Sequence, residues 1–462
     1  MLLDKTISQL LKGYREKEFT PKDVVSEIFE NIEKNEEKIN SFVTLLDKKE
    51  ILEKFKDIDL SLPLAGIPYV LKDCYVTKGI KTTASSKILE DFIPPYNATV
   101  YEKLISAGAI LIGKTNMDAW GHGGSTENTD FGVTHNPWDL TRVPGGSAGG
   151  CGVAIAARFC TFAIGEDTGG SIRNPAAWNN VTGLKVTYGR VSRYGAIAYA
   201  SSFDTVGPMA KTIDECAYVL QIIAGKDILD ATSSNEPVPN YLEPKTAKKF
   251  TLGIPKEFFG NGLDKEVKAS LDAAVTKFQE LGVETKEISM PLLEYAIPVY
   301  YIIAPSETSS NLGRYDGIRF GSGRENFTNE TKRRIMIGTY SLSAGYYDAY
   351  YKKAEQLRTL FIEEYRKALL TCDAILMPIS PTPPTKIGEL INDPVQNLLA
   401  DIFTTSQPPA GVPCLAIPCG FTKNKLPIGM QLVGNMFSEN ILFELGNIYQ
   451  NATSWHLEKP KL

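Results

Sequence analysis

Residues 143–178, VPGGSAGGCGVAIAARFCTFAIGEDTGGSIRNPAAW, are rich in glycine and poor in charge. Apolar runs at 153–157 and 161–164 alternate with the glycines, which is not the pattern of a flexible linker. The stretch therefore predicts tight loops that wrap around buried strands and helices. Two serines in it, Ser147 and Ser171, each follow a pair of glycines.

Strand and helix patterns alternate on both sides of this stretch. After a helical lead-in at 1–60 they predict strands at 68–71, 109–112, 414–417 and 430–433, and helices at 100–107, 266–281, 331–365 and 440–449. Such alternation indicates an α/β fold with helices on both faces of the sheet. Because no repeat or low-complexity linker interrupts the 462 residues, we expect one large domain, 1–462.

Composition excludes several classes of protein. The net charge is −5, so the chain lacks the basic excess expected of a protein that binds nucleic acid by itself. Its seven cysteines form no C-x-x-C pair, which disfavours a disulfide framework or a zinc site and favours a cytoplasmic protein. The N-terminus lacks a signal peptide and no apolar run is long enough to span a membrane, so no membrane contact is expected.

The segment 108–115, GAILIGKT, matches the P-loop pattern G-x-x-x-x-G-K-[ST] letter for letter. In a P-loop the middle residues form a loop whose N–H groups hold phosphate. Here they are Ala-Ile-Leu-Ile, which favours a strand. The sequence therefore argues against nucleotide binding at this segment.

Ser147 and Ser171 are the candidate nucleophiles. A glycine loop that leads into a helix directs several N–H groups at one point, which is the geometry of an oxyanion hole. No G-x-S-x-G motif is present, and His122 and His135 lie in loops where they favour a polar structural role over that of a base. Taken alone, each Gly-Gly-Ser segment could equally be a tight turn.

Lys72 supplies a candidate base, because it ends the apolar strand predicted at 68–71. Lysine is rarely buried without a partner or a purpose. Burial disfavours the charged form, so a buried lysine is expected to be available as a neutral amine. Taken alone, Lys72 could also be a surface residue at a strand end.

The three features together resemble the amidase signature family. Lys72-Asp73, Gly-Gly-Ser147 and Gly-Gly-Ser171-Ile-Arg173 occur in that family's order, and the resemblance extends over 64–208 and returns at 428–431. It implies a large mixed β-sheet covered by helices on both faces, a signature core at 64–208 and a mostly helical substrate-pocket region at 290–405. Within the family the chain is most similar to glutaminase subunits of tRNA-dependent amidotransferases. The segments that carry this similarity are 113–118, 125–128, 136–139, 187–195, 200–204, 306–311, 314–318 and 345–351.

The resemblance also implies a set of functional residues. Ser171 would be the nucleophile, and Ser147 would pass its proton to neutral Lys72. Backbone N–H groups of Thr168, Gly169, Gly170 and Ser171 would hold the oxyanion. Glutamine would be bound by Tyr301, Arg334 and Asp401, although Tyr300 and Arg333 are competing candidates next in the chain, and Arg334 could equally belong to a solvated basic run.

The implied partners are a tRNA-binding B subunit with a small C subunit, and tRNA would be contacted only through the complex. No metal or cofactor is expected in this chain, because ATP and Mg²⁺ would be used by the tRNA-binding partner to convert Glu-tRNA(Gln), or also Asp-tRNA(Asn). A stand-alone amidase acting on small or aryl amides and a catalytically silent scaffold are the alternatives. Departures from the family pattern are Cys74, Ala148, Glu166 and a shortened segment at 319–332.

Overall fold

A computed structural model describes residues 1–243, 249–258, 262–318, 322–391 and 393–462. Within these ranges an eleven-stranded sheet runs through the molecule. Its strands are β1 (Phe42–Leu45), β2 (Pro68–Lys72), β3 (Ile110–Thr115), β4 (Phe162–Asp167), β5 (Thr182–Lys185), β6 (Thr205–Ala210), β7 (Thr251–Pro255), β8 (Glu284–Ile288), β9 (Ala374–Pro378), β10 (Cys414–Phe421) and β11 (Pro427–Val433).

Fourteen α-helices accompany the sheet in the described part of the chain. They are α1 (Ile7–Glu16), α2 (Pro21–Ile39), α3 (Lys48–Glu53), α4 (Thr99–Ser106), α5 (Gly149–Ala156), α6 (Arg173–Trp178), α7 (Ile213–Ile223), α8 (Lys265–Glu280), α9 (Ala296–Asn311), α10 (Asn329–Ser341), α11 (Tyr351–Leu369), α12 (Pro394–Leu399), α13 (Gln407–Ala410) and α14 (Glu439–Gln450). Short 3₁₀ turns occur between them.

The sheet has the order β1-β3-β2-β4-β6-β5-β10-β11-β9-β7-β8. β2 pairs parallel with β3 and β4, whereas β4 pairs antiparallel with β6. The sheet is therefore mixed, which confirms the predicted α/β fold class. Its central strands β2, β4 and β6 are buried along their whole length, including the charged residues Lys72, Glu166 and Asp167 at the ends of β2 and β4.

Several helices and strands differ from the elements predicted from the sequence. The lead-in at 1–60 also contains the strand β1, which pairs with β3 at the sheet edge. The stretch predicted as helical at 331–365 is two helices, α10 and α11, because residues 342–350 form turns between them. The shortened segment at 319–332 lies partly outside the described residues, since 319–321 are among those not described.

The segment 110–115 is the strand β3, so Gly113 and Lys114 lie in the sheet and not at the start of a helix. Lys114 is fully buried and makes an ion pair with Asp73 at 3.2 Å. Gly113 faces β1 so closely that a Cβ atom would lie 2.7 Å from the ring of Phe42. The strand geometry explains why the P-loop pattern has no phosphate-binding loop here.

One large apolar cluster joins the lead-in helices, the centre of the sheet and α14, and smaller clusters lie beneath α9 and α11. In the described part of the chain no helix is both long enough and apolar enough to cross a membrane.

Candidate active site

Lys72 occupies the last position of β2 and is fully buried. Its neighbours in the sheet, β3 and β4, are parallel to β2, so loops that follow their carboxyl ends meet near Lys72. Open α/β sheets usually bind their ligands at the carboxyl ends of the strands. The strand thus places the Lys72 side chain next to the two glycine-rich turns that carry Ser147 and Ser171.

Ser147 lies in the turn before α5, and Ser171 lies in the turn between β4 and α6. The peptide bond between Gly146 and Ser147 is cis. The two side-chain oxygens are 2.9 Å apart, and Ser147 Oγ lies 2.8 Å from Lys72 Nζ. The structure therefore brings the three sequence-predicted residues into one continuous hydrogen-bonded chain, in which Ser171 alone retains a small exposed fraction of 6%.

Lys72 has a second partner that the sequence marked only as a departure. Its Nζ donates to Glu166 Oε2 at 2.8 Å and to the Glu166 backbone carbonyl at 3.1 Å. Burial acts to lower the pKa of Lys72, but the charge and hydrogen bond of Glu166, together with Cys74 and Cys151, hold that pKa above its ordinary value. Burial alone favours a neutral amine, whereas the ion pair with Glu166, which the sequence did not reveal, favours the ammonium form.

Glu166 is linked in turn to a second carboxyl group. Thr168 Oγ1 lies 2.5 Å from Glu166 Oε1 and 2.8 Å from Asp204 Oδ1. Burial, followed by the nearby charge of Glu166, raises the pKa of Asp204 to about 8. Neither Glu166 as a partner of Lys72 nor Asp204 as part of the site was predicted. The one available signal was an acidic residue next to the Asp-Thr-Gly-Gly-Ser run.

The turn that carries Ser171 is fixed by Asp167 and Arg173, both fully buried. Arg173 makes two hydrogen bonds of 3.0 Å to the carboxylate of Asp167. Asp167 also accepts the N–H of Gly170 at 2.9 Å and the N–H of Ile172 at 3.1 Å. This ion pair therefore holds the backbone on both sides of Ser171.

The Gly170 N–H, one of the four predicted for the oxyanion hole, donates to Asp167 Oδ1 at 2.9 Å. Gly170 has a φ of 134°, and a Cβ atom there would lie 2.6 Å from Thr404 Oγ1. Gly169 packs against the hydroxyl of Tyr300. Thr168, Gly169 and Ser171 remain as candidate oxyanion donors.

Tyr301, Arg334 and Asp401 lie together, although they come from three separate segments. Tyr301 donates its hydroxyl to Asp401 Oδ2 at 2.7 Å, and the Arg334 guanidinium lies 5.3 Å from the centre of the Tyr301 ring. Arg334 also contacts the Tyr199 hydroxyl at 2.6 Å. Burial, opposed by Tyr301 and by Arg334, raises the pKa of Asp401 to about 6.

This cluster adjoins the Ser171 turn, because Thr404, which packs against Gly170, donates its N–H to the carbonyl of Asp401 at 3.0 Å. The competing residues have other contacts. Tyr300 stacks on Phe203 at 5.9 Å, and Arg333 bonds only to Glu330 among the described residues. The geometry thus favours Arg334 over Arg333, whereas Tyr300, whose hydroxyl lies against Gly169, stays a candidate beside Tyr301.

The histidines take no part in this arrangement. His122 is fully buried, with its ring nitrogens 3.2 Å from Thr331 Oγ1 and 3.1 Å from Thr308 Oγ1. Burial, followed by the charge of Arg334, keeps the pKa of His122 well below its ordinary value. His135 donates to a backbone carbonyl in an exposed turn. Across the described ranges no group of three or more His, Cys, Asp or Glu side chains could hold a metal ion.

Comparison with known proteins gives consistent results. The family model described as Amidase matches residues 23–443. The A subunit of the glutamyl-tRNA(Gln) amidotransferase of Desulfatibacillum aliphaticivorans is 47% identical, and its counterpart from Geobacillus kaustophilus is 46% identical, each over 100% of both chains. The crystal structure of the same A subunit from Thermotoga maritima superposes with a TM-score of 0.88 at 36% identity, covering 100% of this chain and 99% of that one.

Proposed function

Because the chain belongs to the amidase family, we propose that it is the glutaminase subunit of a tRNA-dependent amidotransferase. The observation that carries the proposal is the adjacency of two groups of residues. A Ser171–Ser147–Lys72 chain lies beside a pocket that offers a guanidinium and a carboxylate. Full-length identity of 46–47% to proteins of that name supports this function over that of a stand-alone amidase.

In the proposed reaction Ser171 Oγ attacks the side-chain carboxamide of glutamine. Its proton moves to Ser147 Oγ, and Ser147 gives its own proton toward Lys72 Nζ, 2.8 Å away. The carbonyl π electrons move to oxygen, and N–H groups of Thr168, Gly169 and Ser171 stabilise that charge. Collapse returns a proton to the leaving nitrogen, so ammonia departs and water hydrolyses the acyl-enzyme.

Tyr301, Arg334 and Asp401 would bind the amino-acid part of glutamine. A guanidinium pairs with an α-carboxylate and a carboxylate pairs with an α-ammonium, and both charged groups of this pocket lie against Tyr301. An ordinary aryl amide carries neither charge. The pocket therefore suits a free amino acid better than a small neutral amide.

The proposed complex contains a tRNA-binding B subunit with a small C subunit. The tRNA-binding partner would use ATP and Mg²⁺ to activate the misacylated glutamate of Glu-tRNA(Gln), or also the aspartate of Asp-tRNA(Asn), and would receive the ammonia. The net charge of −5 fits a chain that leaves tRNA contact to its partner. We place this complex in the cytoplasm, where seven free cysteines are kept reduced.

The test is ammonia release from glutamine by the purified chain, with and without the B and C subunits, misacylated tRNA and ATP. We expect weak release from the chain alone and a strong increase in the complete mixture. The control variant is Arg333→Gln. It leaves Arg334 in place, so its ammonia release from glutamine should still increase strongly in the complete mixture. Indifference to glutamine and partners, with rapid turnover of other amides, would assign the chain to the stand-alone amidases instead.

A further inference from the structure

Glu166 gives this site a buried acid that the mechanism above does not use. The family pattern has a small hydroxyl residue at this position, which could accept a hydrogen bond from the lysine but could not hold a proton for it. Here the glutamate side chain is 5% exposed and contacts Lys72 directly at 2.8 Å.

The hydrogen bonds around Lys72 describe an ammonium group. An ammonium has three protons to donate, and Lys72 Nζ has three acceptors: Ser147 Oγ, Glu166 Oε2 and the Glu166 carbonyl oxygen. An ammonium with all its protons already bound cannot take another from Ser147. It can do so only if it first releases one, and Glu166 Oε2 is the acceptor that can carry it.

The other carboxylate oxygen of Glu166, Oε1, contacts Thr168, and this contact shows how many protons Glu166 and its neighbouring carboxyl group hold between them. Thr168 has one hydroxyl proton and contacts both Glu166 Oε1 and Asp204 Oδ1. One hydroxyl proton cannot form hydrogen bonds to two ionised carboxylates at once. One of the two carboxyl groups must therefore be protonated and donate to Thr168 Oγ1. Glu166 contacts Lys72 Nζ at 2.8 Å whereas Asp204 faces no cation so closely among the residues that the structure describes, and burial raises the pKa of Asp204 to about 8, so we place that proton on Asp204.

We infer that Glu166 is a positioning residue that accepts, through Lys72, the proton released when Ser171 attacks. The inference rests on the proposed amide-hydrolysing function and deepens it. Lys72 and Glu166 then act together: Lys72 relays a proton from Ser147 to Glu166, and Glu166 holds it until the leaving amine is protonated.

The step balances without a further reactant. As the Ser171 Oγ–carbon bond forms, the Ser171 O–H bond breaks and its proton passes to Ser147. Ser147 gives its own proton to Lys72 Nζ, while Lys72 gives one of its N–H protons to Glu166 Oε2. When the tetrahedral intermediate collapses, the same groups return a proton to the departing amine, and Glu166 is again ionised.

Other titratable groups facing the pair are Cys74, Tyr75 and Cys151. Burial raises the pKa of all three, to about 11 for Cys151 and well above the ordinary value for Cys74 and Tyr75. They therefore remain neutral near pH 7. Asp204 is the remaining acid, with Arg193 acting on it from the neighbouring loop.

The experiment measures how fast a fluorophosphonate probe labels Ser171 as a function of pH, from about pH 5 to about pH 10. This probe reports nucleophile activation and does not depend on which amide is the natural substrate. The variants are Glu166→Gln, which keeps the shape but replaces one of the two acceptor oxygens by an NH2 donor, and Glu166→Ser, which restores the usual small hydroxyl. Glu215→Gln is the control, because Glu215 is also buried and faces a lysine, Lys211, at 3.9 Å.

We expect the wild-type pair to accept the proton of Ser171 at a lower pH than Lys72 could without the Glu166 carboxylate. In Glu166→Gln and Glu166→Ser, Lys72 must itself be neutral, so half-maximal labelling should move up by about one pH unit or more. At high pH the Gln and Ser variants should regain most of the wild-type rate. The control Glu215→Gln should keep the wild-type profile.

Two results would contradict the inference in different ways. If wild-type Ser171 is labelled and the variants lose rate equally at every pH, or keep the wild-type profile, Glu166 has no role in proton transfer. If wild-type Ser171 is not labelled at any pH, both the proposed function and the role of Glu166 are wrong. Thermal unfolding of each variant establishes that it is folded.

Discussion

Replacement of Arg173 by methionine tests whether the buried ion pair supports the active site. Arg173 is fully buried and bonds to Asp167, Gln407, Gln431 and the carbonyl of Thr404, at distances between 2.9 and 3.0 Å. Methionine fills a similar volume but offers none of these bonds. Arg173→Met therefore leaves the Asp167 carboxylate buried without its counter-charge.

The expected loss of stability follows from the class of interaction. Removing one partner of a buried ion pair destabilises a protein by about 3–5 kcal/mol, because the remaining charge is uncompensated. Unfolding entropy is about 2.1 cal/mol/K per residue, which for 462 residues is about 1 kcal/mol/K. We therefore expect the Tm of Arg173→Met to fall by about 3–5 °C.

The same substitution should reduce the reactivity of Ser171. Burial acts to raise the pKa of Asp167, but the charge and hydrogen bonds of Arg173 outweigh it and hold that pKa below its ordinary value. Without Arg173 the carboxyl group becomes easier to protonate, and a protonated Asp167 holds the N–H groups of Gly170 and Ile172 less firmly. Labelling of Ser171 by a fluorophosphonate should then slow by about tenfold or more.

A double variant tests whether the uncompensated charge of Asp167, and not the altered shape of residue 173, causes the loss of stability. Asp167→Asn combined with Arg173→Met removes both charges, while the amide oxygen of asparagine can still accept a backbone N–H. We expect this pair of changes to be less destabilising than the sum of the two single changes. Additive losses, or an Arg173→Met protein with unchanged Tm and labelling, would refute the argument that this ion pair holds the turn.

Three further predictions concern the nucleophile, the pocket and the pH dependence of stability. Ser171→Ala should abolish the acyl-enzyme seen by mass spectrometry and Ser147→Ala should slow its formation by about 10²–10⁴-fold, so near-normal rates in either variant would contradict the mechanism. Asp401→Asn should raise the KM for glutamine by about tenfold or more while changing kcat less, and an unaltered KM would remove Asp401 from the pocket. Burial, opposed by hydrogen bonds from Ser41 and from the backbone, raises the pKa of Glu36 to about 7, so the folded state binds more protons than the unfolded state between about pH 4.5 and 7 and loses stability as pH rises through that range. Glu36→Gln should reduce this loss, which Tm measurements from about pH 5 to pH 8 would detect, and parallel Tm curves for the two proteins would contradict it.

Much of the arrangement was predictable because it depends on local pattern. The apolar run that ends at Lys72 forms a buried strand, and the Gly-Gly-Ser turns lie at the sheet edge where Lys72 ends. That Lys72, Ser147 and Ser171 belong together was implied by the resemblance of these segments, in their order, to the amidase signature family. The α/β fold class followed from alternation of strand and helix signals alone.

The rest depends on how distant segments meet. Asp204 reaches Thr168 because β4 and β6 pair antiparallel in a register that sets Asp167 opposite Thr205. No local pattern fixes that register. Likewise, Tyr300 and Tyr301 are consecutive on α9, so which of them faces Arg334 depends on the rotation of the helix against its neighbours. The carboxylate partner of Lys72 was missed for the same reason, since Glu166 comes from another strand.

Three buried cations around the site are paired with carboxylates, whereas in the described part of the chain the buried acid Asp204 is not paired with a cation. Lys72, Lys114 and Arg173 each have a carboxylate partner within 3.2 Å. Asp204 has no such ion-pair partner among the described residues, and its pKa rises to about 8. If Glu166 and Asp204 were both ionised, the site would carry a net negative charge away from water, which is costly. A proton on Asp204 makes the group of Lys72, Glu166 and Asp204 neutral, so the resting state that best fits the burial is also the one in which Glu166 can receive the proton from Ser171.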